Sequence, residues 1–279
     1  MAPGQSPTVR RRRLAADLRR LREERELTID QVAQATSWHP TKVSRIETGR
    51  RSVSPGDVRT LADLYKIPED DARSLVRLAR AARERGWWEA YRDVLPPRYS
   101  TYIGLETDAS SLQVYEGILI HGLLQTEQYA RSVISAELHQ ASDDEVDARV
   151  AVRLERTSVL RSGLNLDVIL DEAAIRRQVG NASMRQKQAQ HIAELAELPN
   201  VSVRVIPYTA GAHAGMSGAF SILDFPGDPK VVYVESPAGD IFVEREPEVN
   251  RFVGLFERLA GVTLSPDRSV RLILEAARE

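Results

Sequence analysis

The sequence predicts a mainly α-helical chain of two domains, five short helices followed by an α+β domain with a small antiparallel sheet. Three observations support this prediction. Apolar residues recur at helical spacing up to about residue 82, and several of these runs follow a helix start signal. After Asn200 the apolar pattern changes to a period of two. The length of 279 residues is also sufficient for two domains.

The net charge of −2 conceals a difference between the two parts of the chain. Residues 1–80 hold 17 Lys and Arg against 11 Asp and Glu, whereas the remaining residues hold 21 against 29. A basic module on an acidic body favours contact with a polyanion through one end of the chain. An uneven distribution of solvated charges by chance is the alternative.

Several classes of protein are excluded by composition. No apolar run is long enough to cross a bilayer, and MAPGQSPTVRRRR lacks the apolar core of a signal peptide. We therefore expect a soluble, cytoplasmic protein that has no membrane partner. The chain has no cysteine, which excludes disulfides, thiolate zinc sites and thiol catalysis.

The N-terminal segment predicts a disordered start and a basic first helix. Residues 1–7 are rich in Pro, Gly and Ser, and Thr8 is the expected cap of a helix that ends near Glu26. The inner stripe of this helix consists of Leu14, Leu18 and Leu21. Its first turn holds Arg10–Arg13, although cations at a helix N-terminus oppose the helix dipole. Phosphate binding would explain their placement, and a solvated basic turn is the alternative.

The stretch Leu27–Arg51 predicts two short helices joined by a turn. Thr28 and Gln31 form a capping box before the first helix, and His39–Pro40 begins the second. The inner faces consist of Val32, Ala33, Val43 and Ile46, and the outward side of the second helix carries Thr41, Lys42 and Arg45, followed by Arg50 and Arg51. Such an exposed face is typical of a helix-turn-helix that reads the major groove. A helical hairpin packed inside a larger α-domain is the alternative.

Two more helices complete the predicted N-terminal domain. Ser54–Pro55 repeats the start signal before a fourth helix with Val58, Leu61 and Ala62 inside. A fifth helix begins after Ile67–Pro68 with three acidic residues in its first turn. We place this domain at residues 1–82, a connection at 83–102 and the C-terminal domain at 103–279.

The run Pro40–Arg51, PTKVSRIETGRR, resembles the XRE (Cro/C1-type) helix-turn-helix family, whose second half typically reads SxSxxSxxExG. Ile29 and His39 depart from the family, which often has Gln and Ser there. The resemblance implies a five-helix, lambda-repressor-like domain that binds double-stranded DNA. The residues expected to contact DNA are Arg10, Arg11, Arg13, Thr28, Gln31, Thr41, Lys42, Ser44, Arg45, Arg50 and Arg51.

The connection is rich in aromatic residues. Residues 86–102 hold two Trp and three Tyr around a Pro96–Pro97 break. These rings could stack on bases, but few basic residues alternate with them. We therefore favour the interpretation that this segment docks the two domains.

The C-terminal domain is predicted element by element from the apolar period. The helices expected there are one or two within 107–137, then Asp143–Leu160, Asp171–Val179, Ser183–Leu198, about Glu246–Leu259, and Ser265–Ala277. The strands expected are Leu164–Leu170, Val201–Ile206, Ala219–Phe225 and Lys230–Val234. This order predicts the α+β class.

The sequence from Trp87 onward resembles the C-terminal domain that follows the XRE module in many actinobacterial regulators of the WhiJ type. The matching residues are Trp87–Trp88, Gly122–Thr126 with Tyr129–Ala130, Asp171–Ala174 to Gly180, and Gly218–Phe220 followed by Val231–Glu235. His121 stands where the family usually has Pro. The resemblance implies transcriptional control, often beside a small partner protein encoded nearby.

No residue pattern predicts a catalytic, cofactor or metal site. The histidines His39, His121, His139, His191 and His213 show no metal-ligand spacing. Asp171 and Glu172 could act as paired carboxylates, but acids at a strand-to-helix junction are explained by the helix dipole. The glycine-rich segment 209–218 lacks the features of a phosphate-binding loop, so it is either a plain hairpin loop or a lid over a pocket.

Three functional classes follow from these observations. The first is a transcription regulator that binds DNA as a homodimer, with a C-terminal domain for dimerisation and for sensing a signal or partner. The second is an interaction protein that binds a small partner protein and is tethered to DNA by its helix-turn-helix. The third is an enzyme that uses the segment 209–218. We predict the first and expect no enzymatic activity.

Overall fold

The computed structural model describes residues 7–49, 51–84, 86–138, 141–236 and 238–279. It divides the chain into two compact units, Met1–Glu89 and Ala90–Glu279. No helix within the described ranges is long and apolar enough to cross a bilayer.

The first unit contains the predicted five helices. They are α1 (Pro7–Glu23), α2 (Ile29–Thr36), α3 (Pro40–Glu47), α4 (Pro55–Leu64) and α5 (Glu69–Ala81). The start signals explain where they begin. The capping box of Thr28 and Gln31 is present before α2, and the Ser54 hydroxyl accepts a hydrogen bond from the Asp57 amide at 3.0 Å before α4.

The predicted start of α1 was wrong. Pro7 is already helical, and Thr8 is buried inside the helix instead of capping it. Pro at the first helical position needs no hydrogen-bond acceptor for its nitrogen, which explains the earlier start. Residues 1–6, for which disorder was predicted, lie outside the described residues. The helix ends at Glu23 rather than near Glu26, because Glu26 adopts a positive φ of 54°.

One apolar core holds the five helices together. Buried side chains come from every helix, including Leu14 and Leu18 of α1, which are 1% and 0% exposed. The inner residues predicted for the helix-turn-helix, Val32, Ala33, Val43 and Ile46, all belong to this core. Burial of these side chains fixes which face of α3 points outward.

The second unit combines helices with one sheet. Its helices are α6 (Pro97–Asp108), α7 (Glu127–Glu137), α8 (Asp143–Arg156), α9 (Ser158–Arg161), α10 (Glu172–Arg176), α11 (Ala182–Leu195), α12 (Glu246–Ala260) and α13 (Pro266–Ala276). Its strands are β1 (Ser111–Glu116), β2 (Asn165–Asp171), β3 (Val201–Ile206), β4 (Phe220–Phe225), β5 (Asp228–Val234) and β6 (Ile241–Val243). The α+β class is confirmed.

The sheet is mixed, so the predicted antiparallel sheet was wrong in this respect. The strand order is β3-β2-β1-β4-β5-β6. The pairs β1–β2 and β2–β3 are parallel, whereas β1–β4, β4–β5 and β5–β6 are antiparallel. Helices connect β1 to β2 and β2 to β3, which gives the crossover length that parallel pairing requires.

Strand β1 lies at the centre of the sheet and was missed, because helix was predicted for 107–137. Its side chains Leu112, Val114 and Tyr115 are buried. A short apolar run that is buried on both faces fits a helix and a strand equally well by period alone. The three-residue strand β6 was also missed.

Candidate nucleic-acid interface

The helix-turn-helix is built from local hydrogen bonds that the sequence anticipated. The Thr28 hydroxyl accepts from the Gln31 amide at 3.2 Å, and the Gln31 side chain accepts from the Thr28 amide at 2.8 Å. His39 caps α3, since its Nδ1 accepts from the Thr41 amide at 3.2 Å. Ser37 closes α2 in the left-handed conformation with φ of 57°. The turn therefore has a defined geometry that sets the direction of α3.

The outward face of α3 offers polar side chains to solvent. Thr41 and Arg45 are exposed and Ser44 is half-buried, while Val43 and Ile46 on the opposite side are buried. Beyond α3, Arg51 is exposed and its amide donates to the Arg45 carbonyl oxygen at 3.0 Å. Arg50, which was also predicted to contact DNA, lies outside the described residues.

Glu47 at the end of α3 has a structural role that the sequence analysis did not identify. Its carboxylate accepts hydrogen bonds from Nε and Nη2 of Arg22 at 2.8 and 2.9 Å, and both residues are buried. Arg22 also donates to the Leu27 carbonyl oxygen at 2.6 Å. The hydrogen bonds to Glu47 raise the pKa of Arg22. This ion pair joins α1 to α3 and to the start of the helix-turn-helix.

Lys42 is engaged inside the first unit. Its Nζ lies 2.7 Å from a carboxylate oxygen of Asp57 and 3.5 Å from the centre of the Trp38 ring. The side chain is therefore held between α4 and the turn instead of extending away from α3. Lys42 would have to leave its ion pair with Asp57 before it could contact a base.

The four arginines at the start of α1 do not act as one cluster. Arg10 donates to the Ala81 carbonyl oxygen at 3.2 Å and to Glu84 at 2.6 Å. Arg11 is half-buried, and burial lowers its pKa. Arg13 is exposed and lines a groove between α1 and α5. A helix turns by 100° per residue, which explains why consecutive arginines point in different directions.

The backbone of Arg12 in α1 lies close to Gly49, which follows α3. A Cβ built on Gly49 would lie 4.0 Å from the Arg12 Cα and 3.8 Å from the Ala15 Cβ. Gly49 has a φ of +67°, which favours glycine at the residue that ends the helix-turn-helix. The close approach of Gly49 to α1 is a tertiary feature that the sequence alone does not reveal.

The carboxylates at the β2–α10 junction have structural partners. Asp171 caps α10 by accepting from the Ala173 amide at 2.7 Å, and its other oxygen lies 2.9 Å from Nε2 of His213. Nδ1 of His213 accepts from the Gly215 amide at 3.2 Å, so both nitrogens of this imidazole are engaged. Glu172 pairs with Arg176 at 2.6 Å. Asp171 therefore caps α10, as expected for an acid at a strand-to-helix junction.

The segment 209–218 is not a hairpin loop, which was one of its two predicted forms. It connects β3 to β4, which are not neighbours in the sheet. It forms two short 3-10 turns, Tyr208–Ala210 and Ala214–Ser217, and lines a cavity of the second unit. Among the residues that the structure describes, no group of three or more His, Asp or Glu side chains is arranged to hold a metal ion.

Two known families match the chain. The family described as "Helix-turn-helix domain" matches residues 13–75. The family described as "Domain of unknown function (DUF5753)" matches residues 99–275, which is more than half of the chain. The first match contains α2 and α3, and the second contains the whole sheet.

One curated relative is similar over a short region. The HTH-type transcriptional repressor RghR of Bacillus subtilis (strain 168) is 46% identical over 52 residues. This similarity covers 18% of the chain and 38% of the relative, so the chain spans well under half of the relative's length. No solved structure matches the chain significantly.

Proposed function

The chain belongs to the family defined by the domain of unknown function DUF5753, and we propose that it is a sequence-specific, DNA-binding transcription regulator. The observation that carries this proposal is the exposed face of α3, where Thr41 and Arg45 lie opposite the buried Val43 and Ile46. A helix held in this way by a preceding helix and a tight turn fits the major groove. The match to a helix-turn-helix family and the similarity to a transcriptional repressor support it.

We assign the DNA-contacting residues to two groups. Thr41 and Arg45 are exposed on the first turns of α3, where side chains reach base edges. Arg13, Arg50 and Arg51, together with the helix-start residues Thr28 and Gln31, supply phosphate contacts. In this proposal Ser44 has a structural role in α3. Lys42 contacts DNA only after its ion pair with Asp57 has broken. The ion pair of Arg10 with Glu84 makes that arginine a weaker candidate.

The second unit serves, in this proposal, for dimerisation and for sensing a signal or a partner. Its net charge is negative, so DNA would repel it. Its partner must therefore be another molecule. A second copy of the chain is the commonest such partner. A small partner protein is the alternative, and in that case the helix-turn-helix tethers the complex to DNA.

An unbiased selection of DNA sequences bound by the full chain tests this proposal. We expect a recurrent half-site of a few base pairs, present twice with a spacing of about one helical turn or a multiple of it. A single half-site would favour a monomer or a complex with a different partner. Failure to enrich any sequence would contradict sequence-specific binding.

A further inference from the structure

A large cavity lies within the second unit. It has a volume of about 1180 Å³, and its wall includes the end of β1, parts of α7 and α8, and the segment that connects β3 to β4. A recess of about 100 Å³ continues from it, since Glu116, Arg153 and Glu235 line both spaces. The cavity is large enough for a small organic ligand.

Apolar side chains surround part of this cavity and are unusually exposed. Ile118 is 61% exposed, Tyr208 is 58% exposed and Met216 is 73% exposed, and all three line the cavity. Large apolar side chains that meet at the edge of a concave site are typical of ligand-binding surfaces. The apolar part of a ligand would cover them.

Two carboxylates lie where the cavity meets the recess. Glu116 is half-buried and Glu235 is exposed, and both line the cavity and the recess. Neither carboxylate accepts a hydrogen bond within the described part of the chain. Burial, with the charge of Glu235 as the second cause, raises the pKa of Glu116 to about 8. Arg153 opposes this effect, but it also donates to Gln125 Oε1 at 3.0 Å.

Two buried hydroxyl groups in the recess also lack a hydrogen bond. Tyr102 and Tyr233 are 2% and 5% exposed, and their rings stack with centroids 4.2 Å apart. Both line the recess, and neither hydroxyl forms a hydrogen bond of normal geometry among the described residues, although Ser221 lies near the Tyr102 hydroxyl and Asp240 near the Tyr233 hydroxyl. A buried polar group without a partner costs free energy unless something in the site satisfies it. The recess is therefore suited to a polar group of a ligand.

We propose that this cavity binds a small amine with an apolar body. Its ammonium group lies between Glu116 and Glu235, where it supplies the donors and the positive charge that both carboxylates lack. The apolar body contacts Ile118, Tyr208 and Met216. This amine would be the signal that the second unit senses. Only the effect of the amine on transcription rests on the proposed function.

The other charges of the cavity favour a cation over an anion. Arg149 is paired with Glu145 at 2.9 Å, and Arg98 donates to the Asp240 carbonyl oxygen. Among the described residues, Arg98 and Arg153 remain as unpaired cations of the lining, and Arg153 is the one that acts on Glu116. In contrast, five carboxylates line the cavity, those of Glu116, Glu137, Asp171, Glu235 and Asp240. An anionic ligand would meet the repulsion of both carboxylates, whereas an ammonium group would relieve it.

Binding should depend on pH in a defined direction. Glu116 binds an ammonium group best in its ionised form, so the affinity should rise from pH 6 to pH 8 and binding should release a proton in that range. The groups that interact with Glu116 are Glu235, Arg153 of α8, Tyr129 of α7 and Tyr115 of β1, and Glu137 and His121 line the same recess. Burial lowers the pKa of His121 well below its ordinary value, so this imidazole stays neutral throughout the range.

A matched set of three probes tests the proposal on the full chain without DNA. The probes are 4-phenylbutylamine, 4-phenylbutan-1-ol and 4-phenylbutyrate, which share one apolar body and differ in charge. We expect isothermal titration calorimetry to show at least about tenfold tighter binding of the amine than of the other two. Equal affinities, a preference for the carboxylate, or no binding of the amine at millimolar concentration would overturn the proposal.

Three variants locate the site. Glu116→Gln and Glu235→Gln should each weaken amine binding about tenfold, because each removes a charge-assisted hydrogen bond. Glu257→Gln, at an exposed position on α12, should leave it unchanged. Circular dichroism tests whether the variants fold. If a variant does not fold, the three probes still test the proposal on the unaltered chain. The assay contains no DNA, so its failure is distinct from failure of the DNA-binding proposal.

Discussion

A buried ion pair joins two helices in each unit. Arg22 and Glu47 join α1 to α3, and Arg156 donates to Glu106 at 2.7 and 2.8 Å with both side chains at 3% exposure or less. Removal of one partner from a buried pair leaves an uncompensated charge, which typically costs about 3–5 kcal/mol. Glu47, the glutamate of the XRE-like motif, thus holds α3 in position through Arg22 instead of contacting DNA.

Arg45 tests how the exposed face of α3 reads DNA. The side chain is exposed and belongs to no ion pair within the described residues. If it contacts a guanine, Arg45→Ala should cost about 1–3 kcal/mol of discrimination at one base position. Sequence selection with the variant should then show a relaxed preference there, with an unchanged circular dichroism spectrum.

Arg77→Ala is the matched control for this prediction, because Arg77 is an exposed arginine on α5 rather than on α3. It should leave the selected motif unaltered. An unaltered motif in Arg45→Ala would instead show that Arg45 contacts a phosphate or has no role in base reading.

Glu116 makes the stability of the second unit dependent on pH. Its pKa is raised to about 8 in the folded chain, so the folded state holds a proton that the unfolded chain loses near its ordinary pKa of 4.5. The stabilising effect of this proton is complete at low pH and is lost as the pH rises through 8. Glu116→Gln should therefore stabilise the protein more at pH 8 than at pH 5. Urea unfolding at both values measures this, and a stability difference that is independent of pH would contradict it.

At the scale of elements, local chemistry made the first unit predictable. Thr28, His39 and Ser54 cap their helices as expected, because a cap and its helix are adjacent in sequence. The exposed face of α3 followed from the buried positions of Val43 and Ile46. The engagement of Lys42 by Asp57 could not be predicted, because it depends on the packing of α4 against α3.

The second unit was harder to predict for a physical reason. Strand β1 pairs with β2 and β4, which lie more than 50 and 100 residues further along the chain. Sequence periodicity reports local geometry and contains no information about strands that pair over such distances. A pocket under 209–218 was one of the two alternatives for that segment, but its carboxylates could not be predicted, because Glu116 and Glu235 line one cavity only once β1 and β5 belong to one sheet.

Two glycines provide a matched test of how the cavity wall is packed. A Cβ on Gly215 would lie 2.4 Å from the Tyr115 ring, whereas a Cβ on Gly254 of α12 would meet nothing within 4 Å. Gly215→Ala should lower the melting temperature, since the segment or the ring must move. Gly254→Ala should raise it, because alanine favours a helix by up to about 1 kcal/mol over glycine. Equal effects of the two changes in a thermal melt would contradict this account.

At the scale of the whole molecule, the salt dependence of DNA binding reports the phosphate contacts. Each lost contact should reduce the slope of log K against log salt by about 0.9. Arg51→Ala should show this reduction and weaken specific and random DNA about equally, because phosphates carry no sequence. Arg251→Ala in the second unit is the control and should leave the slope unaltered. A salt-independent affinity of the unaltered chain would exclude a phosphate-dominated interface.

Dimerisation is the prediction that involves the entire chain. One helix-turn-helix contacts few base pairs, and two half-sites bound together are the usual route to specificity. The second unit has its own apolar core and an acidic formal charge, so we expect it to pair two copies of the chain. Light scattering should show a dimer for the full chain and a monomer for residues 1–82, and the fragment should bind its operator far more weakly although its contacts are intact. A monomeric full chain that binds as tightly as a dimer would refute this assignment and favour a small partner protein.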